Sequence, residues 1–106
     1  MIARIWHGWT DRHDADSYQR LLEEEIIPGI AARGIPGVDG PVVLRRDAAD
    51  NEVEFITMMT FVDTDGIEAF GGREGASVVP PAARALLRRF DEHSQHYDVV
   101  VGTLAV

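Results

Sequence analysis

The chain has no cysteine and no lysine among its 106 residues, because all ten basic side chains are arginine. Without a lysine amine there is no Schiff-base chemistry. Without a thiol there is no thiolate catalysis, no disulfide and no cysteine-ligated zinc or iron–sulfur centre. Basic charge is scarce as well: 10 basic residues stand against 18 acidic ones, for a formal net charge of −8. That balance opposes approach to a phosphate backbone, so nucleic acid is not an expected partner. No apolar run approaches the about 18 residues of a membrane-spanning helix. The opening MIARIW lacks the charged, apolar and cleavage regions of a signal peptide. No membrane partner is expected, and the cytoplasm is the default location.

What is present reads as one domain, residues 1–106, since a single core is the usual solution at this length. IARIWHGWT (2–10) is short and rich in apolar and aromatic residues, and predicts strand 1. DADSYQRLLEEEIIPGIAARG sets Ala15, Tyr18, Leu22 and Ile26 at helical spacing with Leu21 beside them, with Asp14 or Asp16 as cap and Pro28-Gly29 bending or ending the helix. Two apolar runs around DAADN predict a hairpin of strands 2 (about 40–47) and 3 (about 52–62). TDGIEAFGG is a short helix capped by Asp63 or Thr64. PPAARALLRRF reads as another, with Ala83, Leu86, Leu87 and Phe90 on one side. A last strand starts near His96 and runs through the valines toward Leu104. The order β-α-β-β-α(α)-β is the α+β, ferredoxin-like βαββαβ pattern with an antiparallel sheet.

The strands also speak about assembly. Strand 3 carries Val53, Phe55, Met59 and Phe61 on one face and Ile56, Met58 and Val62 on the other; strand 1 sets Ile2 and Trp6 against Ile5 and Trp9. Helices on one side of the sheet cover only one of these faces. A second copy covers the other most simply, which predicts a homodimer joined by sheet-to-sheet packing.

Arg4 and Trp6 share one face of an interior strand. A buried arginine needs an acidic neighbour or an anionic ligand, and Trp6 offers a flat wall to an aromatic one. A salt bridge from Arg4 to Asp98 or a helix 1 glutamate is the alternative. Tyr18 either points its hydroxyl into a cavity between helix and sheet or completes the core. His7, His13, His93 and His96 do not form a convincing metal set, because HSQH passes from helix into strand and His7 faces away from Trp6. No metal, flavin or haem is expected as a resident cofactor. The glycines and prolines of GGREGASVVPP (71–81) suit either a lid or a plain connector.

IARIWHG, DADSYQRLL, GVDGPVVLRR, EVEFITMMTFVDTDGIEAFGG and FDEHSQHYDVV together resemble the antibiotic biosynthesis monooxygenase superfamily of dimeric α/β barrels, in particular its small bacterial members. The resemblance spans nearly the whole chain. It implies a cofactor-independent monooxygenase acting on a small phenolic, polyketide-like compound, which the site must hold as an anion away from bulk water. It also implies a role for His96, which matches the histidine of the family's ending and could accept a phenolic proton; a strand-end histidine bonded to backbone is the plain alternative. Tyr97 is a further substrate contact, although a regular strand points it away from His96. The family's known enzymes use an asparagine and a tryptophan near the second helix. Here the sole asparagine is Asn51, in the hairpin turn, and TFVDTDGIEAF has no tryptophan. A non-catalytic dimeric protein that binds a small aromatic or acidic compound is therefore the second reading, and a haem-binding or haem-degrading relative the third.

Overall fold

The alternation in IARIWHGWTD becomes strand β1 (Ile2–Asp11) in the computed structural model, which describes residues 1–72, 74–77 and 79–102. A 3-10 turn (Arg12–Asp14) leads into one helical run: α1 (Ala15–Leu21), a π-helical turn (Leu22–Ile26) and α2 (Ile27–Ala32). Then come β2 (Val38–Asp47), β3 (Glu52–Phe61), α3 (Thr64–Phe70), α4 (Pro81–Leu86), β4 (Leu87–Phe90) and β5 (Gln95–Asp98). The sheet is antiparallel in the order β2-β3-β1-β4, with β5 also on β1. This is the α+β, ferredoxin-like arrangement, with the fourth strand in two pieces. Among the described residues no helix is long and apolar enough to cross a membrane.

Pro28-Gly29 does not end the first helix. The Ile27 N–H bonds to the Leu22 carbonyl, five residues back, and this wider turn immediately precedes Pro28. The proline ring would otherwise crowd the carbonyl four residues behind it. Asp14 occupies the N-cap position without a side-chain bond, whereas Asp63 caps α3 by accepting from the Asp65 N–H at 3.0 Å. In the β2–β3 hairpin Asp50 and Asn51 both have positive φ, at 58° and 59°. Two-residue primed turns require that conformation of their central residues, and Asn and Asp tolerate it best after glycine.

The chain's end departs from the expected pattern twice. Helix α4 stops at Leu86, and Leu87–Phe90 is a strand rather than the last turn of a helix. Four apolar positions fit either period over so short a run, and contacts from distant residues decide. Arg46, Glu54, Trp9 and Arg89 stand in register across β2, β3, β1 and β4. Arg46 Nε meets Glu54 at 2.6 Å, while the Arg89 guanidinium lies 3.8 Å from the Trp9 ring centroid and reaches Glu52 at 3.0 Å. The last strand is also shorter than expected. Val99 N–H still bonds to the Met1 carbonyl, but β5 ends at Asp98, and Val100 and Val101 lie exposed beyond the sheet. Leu104 lies outside the described residues.

All helices pack on one face. Val53, Phe55, Met59 and Phe61 meet Tyr18, Leu22, Ala83, Ile67 and Phe70 there, in two clusters along the sheet. The opposite face carries Ile5, Val42, Ile56 and Met58, all half-buried, together with exposed Leu44 and Tyr97, and the registered charged row at one end. The hydrogen bond from Arg89 holds the Glu52 carboxyl below its usual range. A depressed carboxyl stabilises the fold above its unfolded pKa, and the contribution is lost as pH falls through the folded value. Arg89→Ala should lower the urea midpoint at neutral pH and flatten its decline into acid. An acid dependence equal to that of the wild type would show that the row does not fasten β4.

Candidate functional site

Even-numbered residues of β1 face the helices, which brings Arg4, Trp6 and Gly8 to the same side as Met59 and Phe55 of β3. The Trp6 indole folds back over Gly8, where an added Cβ would meet its ring at 2.7 Å. Only glycine leaves that space, so the glycine inside WHGW marks a close approach within the strand. Trp6 Nε1–H donates to Ser77 Oγ and to the Asp91 carbonyl, each at 2.9 Å, and the Ser77 hydroxyl donates to that same carbonyl. Trp6 therefore offers a ligand its ring and no free donor.

The same interaction fastens residues 75–77, between α3 and α4. Ser77 N–H bonds to the Glu92 carbonyl and Ser94 N–H to the Gly75 carbonyl, with Ala76 bridged to His93. Gly75 has φ +70°, and a Cβ there would come within 2.7 Å of the Ser94 oxygen. Residues 75–77 are thus stitched to the 92–94 corner as a small ladder; Arg73 and Val78 of the 71–81 segment lie outside the described residues.

Between the two core clusters lies a cavity of about 60 Å³. Its polar lining is Arg4, Tyr18 and Thr57, set among Trp6, Met59, Phe70 and aliphatic side chains of the long helix. Arg4 is 7% exposed, and among the described residues it has no carboxylate within ion-pair distance and no hydrogen-bond acceptor. The Asp98 or glutamate bridge open to it in the sequence is not formed. Its guanidinium lies 4.8 Å from the Phe70 centroid. A cation–π contact is worth about 0.5–2 kcal/mol, well below the cost of an unpaired buried charge. Burial lowers the Arg4 pKa to about 10, which leaves it cationic at neutral pH. Tyr18, edge-on to Phe55 at 4.8 Å, is pushed by burial up to about 12 and stays a neutral hydroxyl. A cation with neutral donors in an apolar wall suits an anion. No histidine or carboxylate is among the described residues lining this space.

His96 is the direct cross-strand neighbour of Arg4. It lines a separate hollow with Ile2, Thr64, Ile67, Tyr97 and Asp98, and Gly75 presses against its ring, leaving 3.3 Å from a Cβ position to Cε1. Tyr97 pairs with Ala3 and lies exposed on the far face. The structure brings Arg4, Trp6 and Tyr18 together, with His96 beside Arg4 and Tyr97 apart. A haem does not fit: the cavity is far too small and its described lining has no axial histidine. Among the described residues no three His, Asp or Glu side chains converge as a metal site. Phe70 and Ser77 were missed as site-shaping residues, since neither carries a signal beyond ordinary packing or loop chemistry. Arg4→Met removes the uncompensated charge and keeps volume, so it should stabilise the ligand-free protein by roughly 1–3 kcal/mol. Thermal denaturation should register that as a gain of several degrees, and a loss of stability would mean that Arg4 is structurally paired.

No family model matches the chain, and no curated protein is similar to it in sequence. Solved structures do share its shape. A Bacillus cereus protein described as a candidate antibiotic biosynthesis monooxygenase aligns over 100% of this chain and 97% of its own, with a TM-score of 0.64 at 15% identity. A second so described, from Bacteroides thetaiotaomicron, aligns over 99% and 94%, with a TM-score of 0.58 at 14% identity. A dimeric ferredoxin-like protein from an uncultured marine organism aligns over 98% of both chains, with a TM-score of 0.56 at 11% identity. At such identities the likeness establishes the fold, and the chain has the ferredoxin-like fold of these proteins over its whole length.

Proposed function

We propose that residues 1–106 work as one domain that binds a small acidic compound between helices and sheet, with Arg4 as the partner of its anion. The observation that carries this is the buried, uncompensated Arg4 in the wall of an apolar cavity. A ligand carboxylate or phenolate would supply the charge that the fold leaves out. Tyr18 would donate to the same anion, while Trp6 and Phe70 would flank the ligand's apolar part. Binding should hold from neutral pH upward and weaken as pH rises through about 10, where Arg4 loses its proton. Titration calorimetry with benzoate and naphthoate should give complexes that Arg4→Gln weakens at least tenfold; equal affinity in the variant would refute the anchor.

Cofactor-independent monooxygenation is the second reading, favoured by the two neighbours described as candidate monooxygenases of this fold. On it, Arg4 stabilises the ionised phenolic substrate that would reduce dioxygen, and His96 is the candidate base beside it. Oxygen uptake on hydroxylated naphthols and anthrones, compared among wild type, Arg4→Gln and His96→Ala, tests it. Binding without uptake leaves a sequestering protein, and uptake indifferent to His96→Ala removes the histidine from the chemistry.

Assembly as a homodimer through the open sheet face belongs to the same proposal. Exposed Leu44 and Tyr97 beside half-buried Ile5, Ile56 and Met58 support it, as does the dimeric ferredoxin-like neighbour. Light scattering at micromolar concentration should give twice the chain mass, and a stable monomer there would overturn it.

A further inference from the structure

The 60 Å³ cavity by itself does not enclose a fused-ring body, since a pocket that encloses a drug-sized ligand runs to about 300–1,000 Å³, so a larger ligand anchored at Arg4 has to extend beyond it. A larger space adjoins it. A cleft of about 600 Å³ runs between the long helix and the start of α4, and it shares Ile26, Ile30, Phe70 and Pro80 with the inner cavity. These four side chains line both spaces, so a ligand that spans the two must pass between them as through a neck. Beyond the neck the cleft is lined by Leu21, Gly29, Pro81 and Ala82, with Glu25 and Arg33 as its charged groups. One carboxylate and one guanidinium bring no net charge, and Arg33 is already engaged: it lies 4.9 Å from the Phe70 centroid and donates to the Ala69 carbonyl at 2.6 Å. Phe70 thus stands between Arg4 on the inner side and Arg33 on the outer.

We infer that the site takes an elongated amphipathic mono-acid, carboxylate first, with its head at Arg4 in the inner cavity and its apolar body in the cleft between the long helix and α4. The inference rests on the anion-binding reading above and adds the shape and polarity of the ligand. The inner space admits a carboxylate and little more, the neck is apolar, and the outer cleft has room and an apolar lining without net charge. A second acid group would meet Glu25 as readily as Arg33. A polar body would lose hydrogen bonds to water along Leu21, Ile26 and Ile30.

The test is titration calorimetry with acetate, butyrate, hexanoate and octanoate, each below its micellar range, and with methyl octanoate. Wild type should gain roughly fourfold in affinity per methylene buried beyond butyrate, and the neutral ester should bind at least tenfold more weakly than octanoate. Arg4→Gln should weaken acids of every length. Gly29→Trp should remove the gain with length, since no atom lies within 4 Å of a Cβ at that position and the added indole has the cleft to fill. A melting curve checks that this variant folds. Short acids bound through Arg4 with no gain on lengthening, or a gain that survives Gly29→Trp, would overturn the cleft while leaving the anchor intact. Failure of every acid to bind would overturn both.

Discussion

Strand β1 must satisfy hydrogen bonds on both edges, and the rest of the molecule takes its position from how it does so. On one edge it pairs with β3 along its full length; on the other it is shared, with β4 against residues 8–10 and β5 against residues 2–5. The gap between those two partners falls at Trp6 and His7. There the Asp91 N–H continues the ladder to the His7 carbonyl, and its carboxylate takes both the His7 N–H at 3.0 Å and Nδ1 at 2.7 Å. The corner this creates is where residues 75–77 attach and where Trp6 finds its acceptors. An interruption in one strand thus places the aromatic wall of the cavity.

The two faces of β1 carry different burdens. On the open face Trp9 stacks with His7 and under Arg89, inside a row of paired charges. Every charge in that row has a partner within reach. On the helix face Arg4 is buried among aromatic and aliphatic groups, and among the described residues it is the Phe70 ring that stands beside its charge. Natural folds accept uncompensated buried charge where binding requires it, at the expense of stability. The contrast between the paired row on the open face and an Arg4 with no carboxylate partner among the described residues on the closed one is what singles out the cavity.

Fold and site were legible to different depths. The alternating strands, the Asp-Asn turn and the helical face of Ala15, Tyr18 and Leu22 depend on local periods and local turn chemistry, so they could be read residue by residue. Arg4 and Trp6 could be placed on one face for the same reason. Leu87–Phe90 could not be read, because its strand exists through Trp9, Glu52 and the free edge of β1, all more than thirty positions away. The valines after Asp98 misled because β propensity alone does not make a strand: Val100 and Val101 lie exposed, with no cross-strand or same-face neighbours to pack against.

The sequence by itself determined the alternation, the order of elements as far as α4 and the absence of lysine and thiol chemistry, since these follow from side-chain type and spacing of two or about three and a half. Tertiary structure alone decided that Arg4 has no acid beside it among the described residues, that His96 stands beside it yet opens into another hollow, and that a larger cleft adjoins the cavity at Phe70. Those properties depend on distances between side chains far apart in the chain, and no period along one strand or helix encodes them.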